Sequence, residues 1–304
     1  MNDTMLHVGK RAIIITNPDK ILFPKSGITK LEMVEYYQRI APVMVPHLKN
    51  RPISMQRFPE GIGHEGFFQK DASDYFPSWI KRVEVEKGDT SKVVSHVLCN
   101  DAATLVYLAS QAVITPHIWL STVNRLNYPD RIIFDFDPSG KDFSQVCKAA
   151  KLFKAFLEEL GLAPFVMTTG SRGLHVNIPI KRELLFDDVR QIARDIAAVM
   201  VKQYPKLLTL EVRKEKRKGK IFVDYLRNAW AQTAVAPYAM RAREKAPIAT
   251  PLGWKEVNSS LTPQKYNLSN IFKRISRIGD PWEDIDQYAK SVKRVGKELE
   301  SLKY

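Results

Sequence analysis

Cysteine is nearly absent, with only Cys99 and Cys147 in 304 residues. Two thiols cannot build a disulfide framework, and no Cys/His grouping has zinc-site spacing, so both are expected to be buried thiols. No apolar run reaches bilayer-spanning length and the first residues carry no signal-peptide pattern, so a cytoplasmic protein with no membrane partner is expected. There is no internal repeat and no low-complexity tract. Acidic residues are in deficit, 33 Asp and Glu against 47 Lys and Arg, for a net charge of +14. Such an excess suggests a polyanion as partner. The length permits a large core, in one domain or in two closely joined lobes.

Strands and helices alternate in the hydrophobic pattern, which gives an α+β or mixed α/β class. Thr29-Lys30-Leu31-Glu32 reads as a capping box that opens a helix to about Ala41. Apolar spacing of three and four predicts further helices over 100–113, 143–160 and 187–202. Strands are expected over 132–136, 165–168, 174–178 and 221–225. The span 250–266 is punctuated by Pro and Ser and reads as a long surface connection. A charged helix is expected over 282–302.

Three segments carry chemistry. In Arg131-Ile132-Ile133-Phe134-Asp135-Phe136-Asp137-Pro138-Ser139-Gly140, the apolar residues favour a strand that Pro138 and Gly140 end. Residues i and i+2 of a strand share a face, so Asp135 and Asp137 lie side by side. Two such carboxylates beside buried hydrophobes repel unless a cation neutralises them or a proton is shared. Hard ions such as Mg²⁺ or Mn²⁺ prefer this all-oxygen environment. For the pair alone, a strand-end turn with two solvated acids is the alternative. The second segment, 164–180, reads as strand, tight loop, strand, and its loop holds Thr169, Gly170, Ser171, Arg172, Gly173 and then His175. Glycines let backbone N–H groups approach a phosphate, and hydroxyls and Arg add donors. In the third segment, 219–228, Asp224 lies on an apolar strand from which it could meet the first pair. Three carboxylates on adjacent strands can bridge two metals for in-line phosphoryl transfer.

In this order the motifs resemble the polymerase domain of bacterial ATP-dependent DNA ligase D, a branch of the archaeo-eukaryotic primase superfamily that acts in non-homologous end joining. The likeness runs almost end to end. It takes in Asn17-Pro18-Asp19-Lys20, Phe67-Phe68, Pro116-His117-Ile118-Trp119, the Asp135 strand, the 169–175 loop, and Ala236-Pro237-Tyr238 with Arg241. It implies one primase-polymerase catalytic domain over 1–304, in two packed lobes of about 1–125 and 126–304, with an RNA-recognition-like sheet carrying the aspartates.

The resemblance also implies roles. Asp135, Asp137 and Asp224 match catalytic aspartates that bind two Mn²⁺ or Mg²⁺ ions, Mn²⁺ being favoured. His175 matches a catalytic-site histidine toward the incoming triphosphate. Thr169 stands where a serine near the sugar is usual, and Ser171 belongs to the same nucleotide-binding loop. Arg172 stands where a lysine is common, a change that keeps the charge but not the geometry. His117, Arg227 and Arg241 match nucleotide contacts. Asn17, Lys20 and Lys30 match a pocket for the 5′-phosphate at a DNA gap or break, and Phe67 and Phe68 match a pair that stacks on the template. An exposed ring there would be worth about 1–3 kcal/mol per base. Arg217 lies in the basic run Arg213-Lys214-Glu215-Lys216-Arg217-Lys218 and matches a loop arginine that completes the active site.

The implied function is extension of DNA 3′ ends at gaps and double-strand breaks, with a preference for ribonucleotides. The partners are DNA, nucleoside triphosphates, Ku and a DNA ligase, and the place is the nucleoid. No Lys-x-Asp-Gly signature of a ligase is present, nor an added nuclease-type module, so in a chain that is complete at these ends those activities are expected from separate proteins, whereas an excised domain carries no such expectation. The competing readings are a primase-like replication protein, a DNA-end-binding synapsis module without essential catalysis, and a metal phosphoesterase, which the nucleotide-cradling loop disfavours.

Overall fold

The computed structural model describes residues 3–86, 92–140 and 142–301, and its chain gathers into two compact units. The first takes Met1–Asn124, Thr233–Ala249 and Tyr266–Arg277, and the second takes Arg125–Gln232, Thr250–Lys265 and Ile278–Tyr304. Each unit is a mixed assembly of α-helices and largely antiparallel sheet.

The first unit is built on a sheet ordered Thr233–Val235, Val113–Trp119, Pro52–Arg57, Val93–Leu98, Arg82–Glu86. Val93–Leu98 covers only the start of Pro52–Arg57, and the short strand Phe67–Gln69 pairs with its end. Phe67 and Phe68 thus lie on a strand rather than a free loop, yet both remain exposed, at 47% and 55%. The helix Lys30–Leu48 opens on the expected capping box: Glu32 N–H donates to Thr29 Oγ1 (3.2 Å) and Thr29 N–H to Glu32 Oε2 (2.7 Å). It runs past Ala41, through Pro42 and Pro46. Its buried face, Tyr36, Tyr37, Ile40, Ala41, Met44 and Leu48, continues unbroken and packs on the helix Ala102–Ser110. That packing outweighs the backbone bonds the two prolines cannot make.

The second unit is a six-stranded sheet ordered Leu208–Thr209, Ile221–Asp224, Arg131–Asp137, Leu174–Pro179, Phe165–Thr168, Thr250–Leu252. Only the first pair is parallel. Phe134 and Phe136 meet Phe153 of the helix Phe143–Glu159, with ring centroids 5.3 and 4.9 Å apart. Strand alternation then turns Asp135 and Asp137 to the face opposite this helix.

Two expectations need correction. Residues 250–266 do not form a surface connection throughout, because Thr250–Leu252 is a buried strand. Pro251 is tolerated there because the strand lies at the sheet edge. Nor does a helix begin at 282. Trp282 is buried, a 3₁₀ turn covers Ile285–Tyr288, and Lys290 forms a bridge with Ile180 that needs extended backbone. Helix resumes only at Lys293–Ser301, and Leu302 lies outside the described residues. Both cysteines are free and buried, and burial pushes the Cys147 thiol up to about 11. Among the described residues, no helix is long and apolar enough to cross a membrane.

Candidate active site

The carboxylates stand on three adjacent strands of the second unit. Asp135 is in register with Asp224 on one side and with His175 on the other. His175 Nε2 lies 3.4 Å from Asp135 Oδ2, and Arg227 Nε lies 3.2 Å from the same oxygen. Burial works to raise the Asp135 carboxyl, but His175 and Arg227 outweigh it and bring it down to about 2. Asp224 behaves oppositely. Burial and the neighbouring Asp135 charge raise its carboxyl above the usual 3.8, although Leu226 N–H donates to its Oδ1 at 2.8 Å.

Asp137 is held by arginines. Arg217 Nη1 lies 2.8 Å from its Oδ2, and Arg172 Nε lies 3.9 Å from its Oδ1. Arg217 is clamped in turn. Its Nε donates to Glu211 O (3.0 Å), its Nη2 donates to Val212 O (2.8 Å), and its guanidinium stacks over Phe222 at 4.4 Å. The surrounding residues 213–216 and 218 are exposed, so the basic run is a solvated surface with one arginine turned inward. Lys218 and Gly219 adopt left-handed backbone, φ 51° and 80°, which reverses the chain between Arg217 and the Asp224 strand.

The 169–175 loop closes on itself. Thr169 Oγ1 donates to Gly173 O (3.1 Å) and accepts from Ser171 N–H (3.3 Å) and Gly173 N–H (3.2 Å). The Thr169 hydroxyl, expected near a sugar, thus braces the loop backbone. Ser171 O accepts from Gln264, and Arg172 is exposed. His175 is buried beside Asp135, with its Nδ1 lacking a hydrogen-bond partner in the described residues.

The all-oxygen donors Asp135, Asp137 and Asp224 suit a hard divalent ion, and the guanidiniums drawn to two of them show how strongly these carboxylates demand a cation. Their side chains do not converge as they stand. No group of three His, Cys, Asp or Glu among the described residues is close enough to share an ion.

Asn228 escaped the sequence reading. It is fully buried, its Oδ1 accepts from Ile133 N–H, and its Nδ2 donates to Ile133 O, both at 2.8 Å. Along Arg131–Asp137 the strand Ile221–Asp224 pairs with residues 135–137, and Asn228 serves as the next rung of that ladder. It thereby fixes the strand that carries Asp135. An Asn four residues past an Asp has no local signature.

The remaining candidates belong to the first unit. Lys20 N–H donates to Asn17 O (3.1 Å), closing a turn that Asn17 enters with φ 49°, and Lys30 N–H donates to Lys20 O (2.8 Å), which holds the start of the helix Lys30–Leu48 beside that turn. Lys20 Nζ pairs with Glu60 at 2.7 Å. Lys30 is no ordinary surface lysine: it is 8% exposed and its Nζ donates to Thr16 O at 2.8 Å. Burial, then the Lys20 charge, lowers its pKa. The Phe68 ring lies 5.2 Å from that of His117. Arg241 follows the buried segment 238–240.

Asp224→Asn should stabilise the protein near neutral pH by on the order of 1 kcal/mol. Asn keeps the acceptor for Leu226 N–H and removes a charge that burial and Asp135 disfavour. The folded pKa lies above the unfolded value of 3.8, so the penalty is absent below 3.8 and complete above the folded value. The gain should therefore shrink as pH falls toward 4, which thermal unfolding at several pH values measures. A variant less stable than the parent at neutral pH would show that Asp224 is held by a compensating charge.

Residues 29–282 match the family model described as the LigD primase-polymerase domain. The chain is 33% identical over 277 residues to the multifunctional non-homologous end joining protein LigD of Mycolicibacterium smegmatis, covering 90% of this chain and 36% of that protein. It is 32% identical over 271 residues to the bifunctional non-homologous end joining protein LigD of Bacillus subtilis, covering 88% and 43%. The chain thus spans well under half the length of these curated relatives. Among solved structures, the polymerase domain of Mycobacterium tuberculosis ligase D in complex with DNA superposes with a TM-score of 0.84 at 29% identity, covering 90% of this chain and 98% of that one.

Proposed function

The chain belongs to the LigD primase-polymerase domain family, and on that premise we propose that it is a nucleotidyltransferase that extends DNA 3′ ends at gaps and breaks in non-homologous end joining. The observation that carries this reading is the register of Asp135 with both Asp224 and His175, beside a self-braced loop bearing Arg172. Asp135, Asp137 and Asp224 would hold two divalent ions, Mn²⁺ favoured over Mg²⁺, which when bound supply Lewis acidity to the 3′-hydroxyl and the triphosphate. The protein's own residues orient and neutralise. Exposed Arg172 offers a cation to the triphosphate, and Arg227 and His175 keep Asp135 ionised. In the first unit, His117 and Arg241 are nucleotide contacts, and exposed Phe67 and Phe68 stack on the template. Ribonucleotides are the preferred substrates, Ku and a DNA ligase the partner proteins, and the cytoplasm the location.

Extension of a labelled primer across a gap, with ribo- and deoxyribonucleotides compared side by side, tests the reading. No extension with either ion would leave a DNA-end-binding module. Equal use of both sugars would remove the ribonucleotide preference alone.

Asn17, Lys20 and Lys30 are proposed to hold the downstream 5′-phosphate. Charge-assisted hydrogen bonds contribute about 1.5–3 kcal/mol, so the Lys20→Ala/Lys30→Ala variant should lose roughly ten- to hundredfold of its preference for a 5′-phosphorylated over a 5′-hydroxyl gap. The preference should also weaken with salt in the parent, since each neutralised phosphate releases counterions. Taking the ratio of the two gaps cancels any uniform loss. An unchanged ratio would place the phosphate pocket elsewhere.

A further inference from the structure

Two adjacent tyrosines of the helix Lys30–Leu48 are buried deep in the first unit, Tyr36 at 2% exposure and Tyr37 at 1%. Both hydroxyls reach the backbone just ahead of Arg241. Tyr36 Oη donates to Tyr238 O at 2.7 Å. Tyr37 Oη accepts from Met240 N–H at 3.0 Å and donates to Ile114 O. The fully buried Thr115 donates through Oγ1 to Met240 O at 2.7 Å. Tyr238 N–H donates to Ala249 O at 2.7 Å, Ala249 N–H to Ala239 O at 2.9 Å, and Ala239 N–H to Ala236 O at 3.1 Å. Every backbone polar group from Tyr238 to Met240 is therefore engaged, and Arg241 N–H donates to Pro247 O at 2.8 Å.

This segment is also strained. Tyr238 has φ 63°, in the left-handed region that a bulky residue rarely adopts, and its ring is fully buried. Such a conformation persists only where the surroundings over-determine it, and it is worth asking what the constraint positions. Strand pairing alone does not supply the constraint, because both backbone groups of Met240 end on side chains, Tyr37 and Thr115. Burial raises the Tyr37 phenol well above its usual value, so it stays a neutral hydroxyl that accepts and donates at once. The Met240 N–H bond and the Arg241 charge oppose that rise.

We propose that Tyr37 and Thr115 are positioning residues for Arg241: they anchor the two sides of the Met240 peptide so that the guanidinium is presented in one orientation to the phosphates of the incoming nucleotide. The proposal rests on the reading of Arg241 as a nucleotide contact. Neither residue is expected to touch nucleotide or DNA.

Steady-state incorporation of a single nucleotide decides it, with Tyr37→Phe, Thr115→Val, Arg241→Ala and the two combinations with Arg241→Ala. Phe and Val keep the buried volume and remove only the hydroxyl. Each single hydroxyl deletion should raise KM for the nucleotide roughly three- to tenfold, the range one hydrogen bond commands, with kcat within about twofold. Arg241→Ala should raise KM at least as much. In the Arg241→Ala background the hydroxyl deletions should add nothing further to KM, as expected of groups that act through Arg241. A purely structural role would lower the active fraction and kcat in both backgrounds and leave KM unmoved. If Arg241→Ala raises KM and neither hydroxyl deletion does, or if their effects multiply fully, the positioning role is overturned while the nucleotide contact stands. If Arg241→Ala leaves KM unchanged, both fall. Should Tyr37→Phe fold poorly, Thr115→Val carries the same comparison.

Discussion

Replacing both Asp135 and Asp137 by Ala should abolish nucleotide addition, a loss of at least about 10³-fold, while duplex binding survives. The two carboxylates lie together at the end of one strand, where His175 and the Arg227 guanidinium meet the first and the Arg172 and Arg217 guanidiniums meet the second. They contribute nothing attractive to a polyanion, and their removal makes an already basic chain more positive. DNA affinity should hold or rise slightly, and its salt slope should persist. Arg217, itself buried, would lose its carboxylate partner, so residues around 211–220 should loosen, visible as faster amide exchange there. Single-nucleotide extension, with binding measured at two salt concentrations, checks both halves. Near-normal extension by this variant would remove the polymerase assignment.

Gly173→Ala should be nearly as damaging, through packing. A Cβ on Gly173 would lie 2.2 Å from Phe136 O and 3.3 Å from Asp135 Oδ1. The carbonyl belongs to the backbone between the two aspartates and cannot rotate aside as a side chain could. Either the 169–175 loop lifts off the strand or the Asp135 strand bends. Overpacking of this kind costs about 1–3 kcal/mol. The loss should appear as a lowered unfolding midpoint together with a fall in kcat, since the displaced atoms flank the carboxylates. Gly140→Ala is the matched control: its Cβ meets nothing within 4 Å, and it should be close to neutral. Equal stability of the two variants would refute this account of Gly173.

The Gly173 case shows what a one-dimensional reading can and cannot reach. Glycine in the loop suggested close approach of a phosphate, whereas the structure shows close approach of another strand's carbonyl. The Asp135–Asp137 pair was legible because alternation is a local rule and Pro138 marks the end of the strand. The Thr29 capping box was legible for the same reason. Asn228 was not, since its partner Ile133 lies 95 positions away. The hydroxyls of Tyr36 and Tyr37 find partners 202 and 203 positions away, and in sequence they look like any two aromatics on an apolar helix face. Pro251 argued against a strand, and only its place at a sheet edge admits one. The basic run hid its exception likewise, because nothing local separates Arg217, turned toward Asp137, from its solvated neighbours.

The interleaving of the two units has a consequence for synthesis. The chain emerges from the ribosome in order, yet the first unit lacks its edge strand Thr233–Val235 until residue 235 is made. Until residues 238–240 follow, the hydroxyls of Tyr36 and Tyr37 lack the segment they bind. The strands Arg131–Asp137 through Ile221–Asp224, by contrast, are contiguous, and their sheet then lacks just the Thr250–Leu252 edge, with Ile278–Tyr304 of the same unit following later. Five strands of the second unit's sheet can therefore pair before the first unit has its edge strand, and the N-terminal segment must wait with apolar surface uncovered. Nascent chains stalled before residue 233 should accordingly depend on chaperones for solubility, and the full-length chain should not.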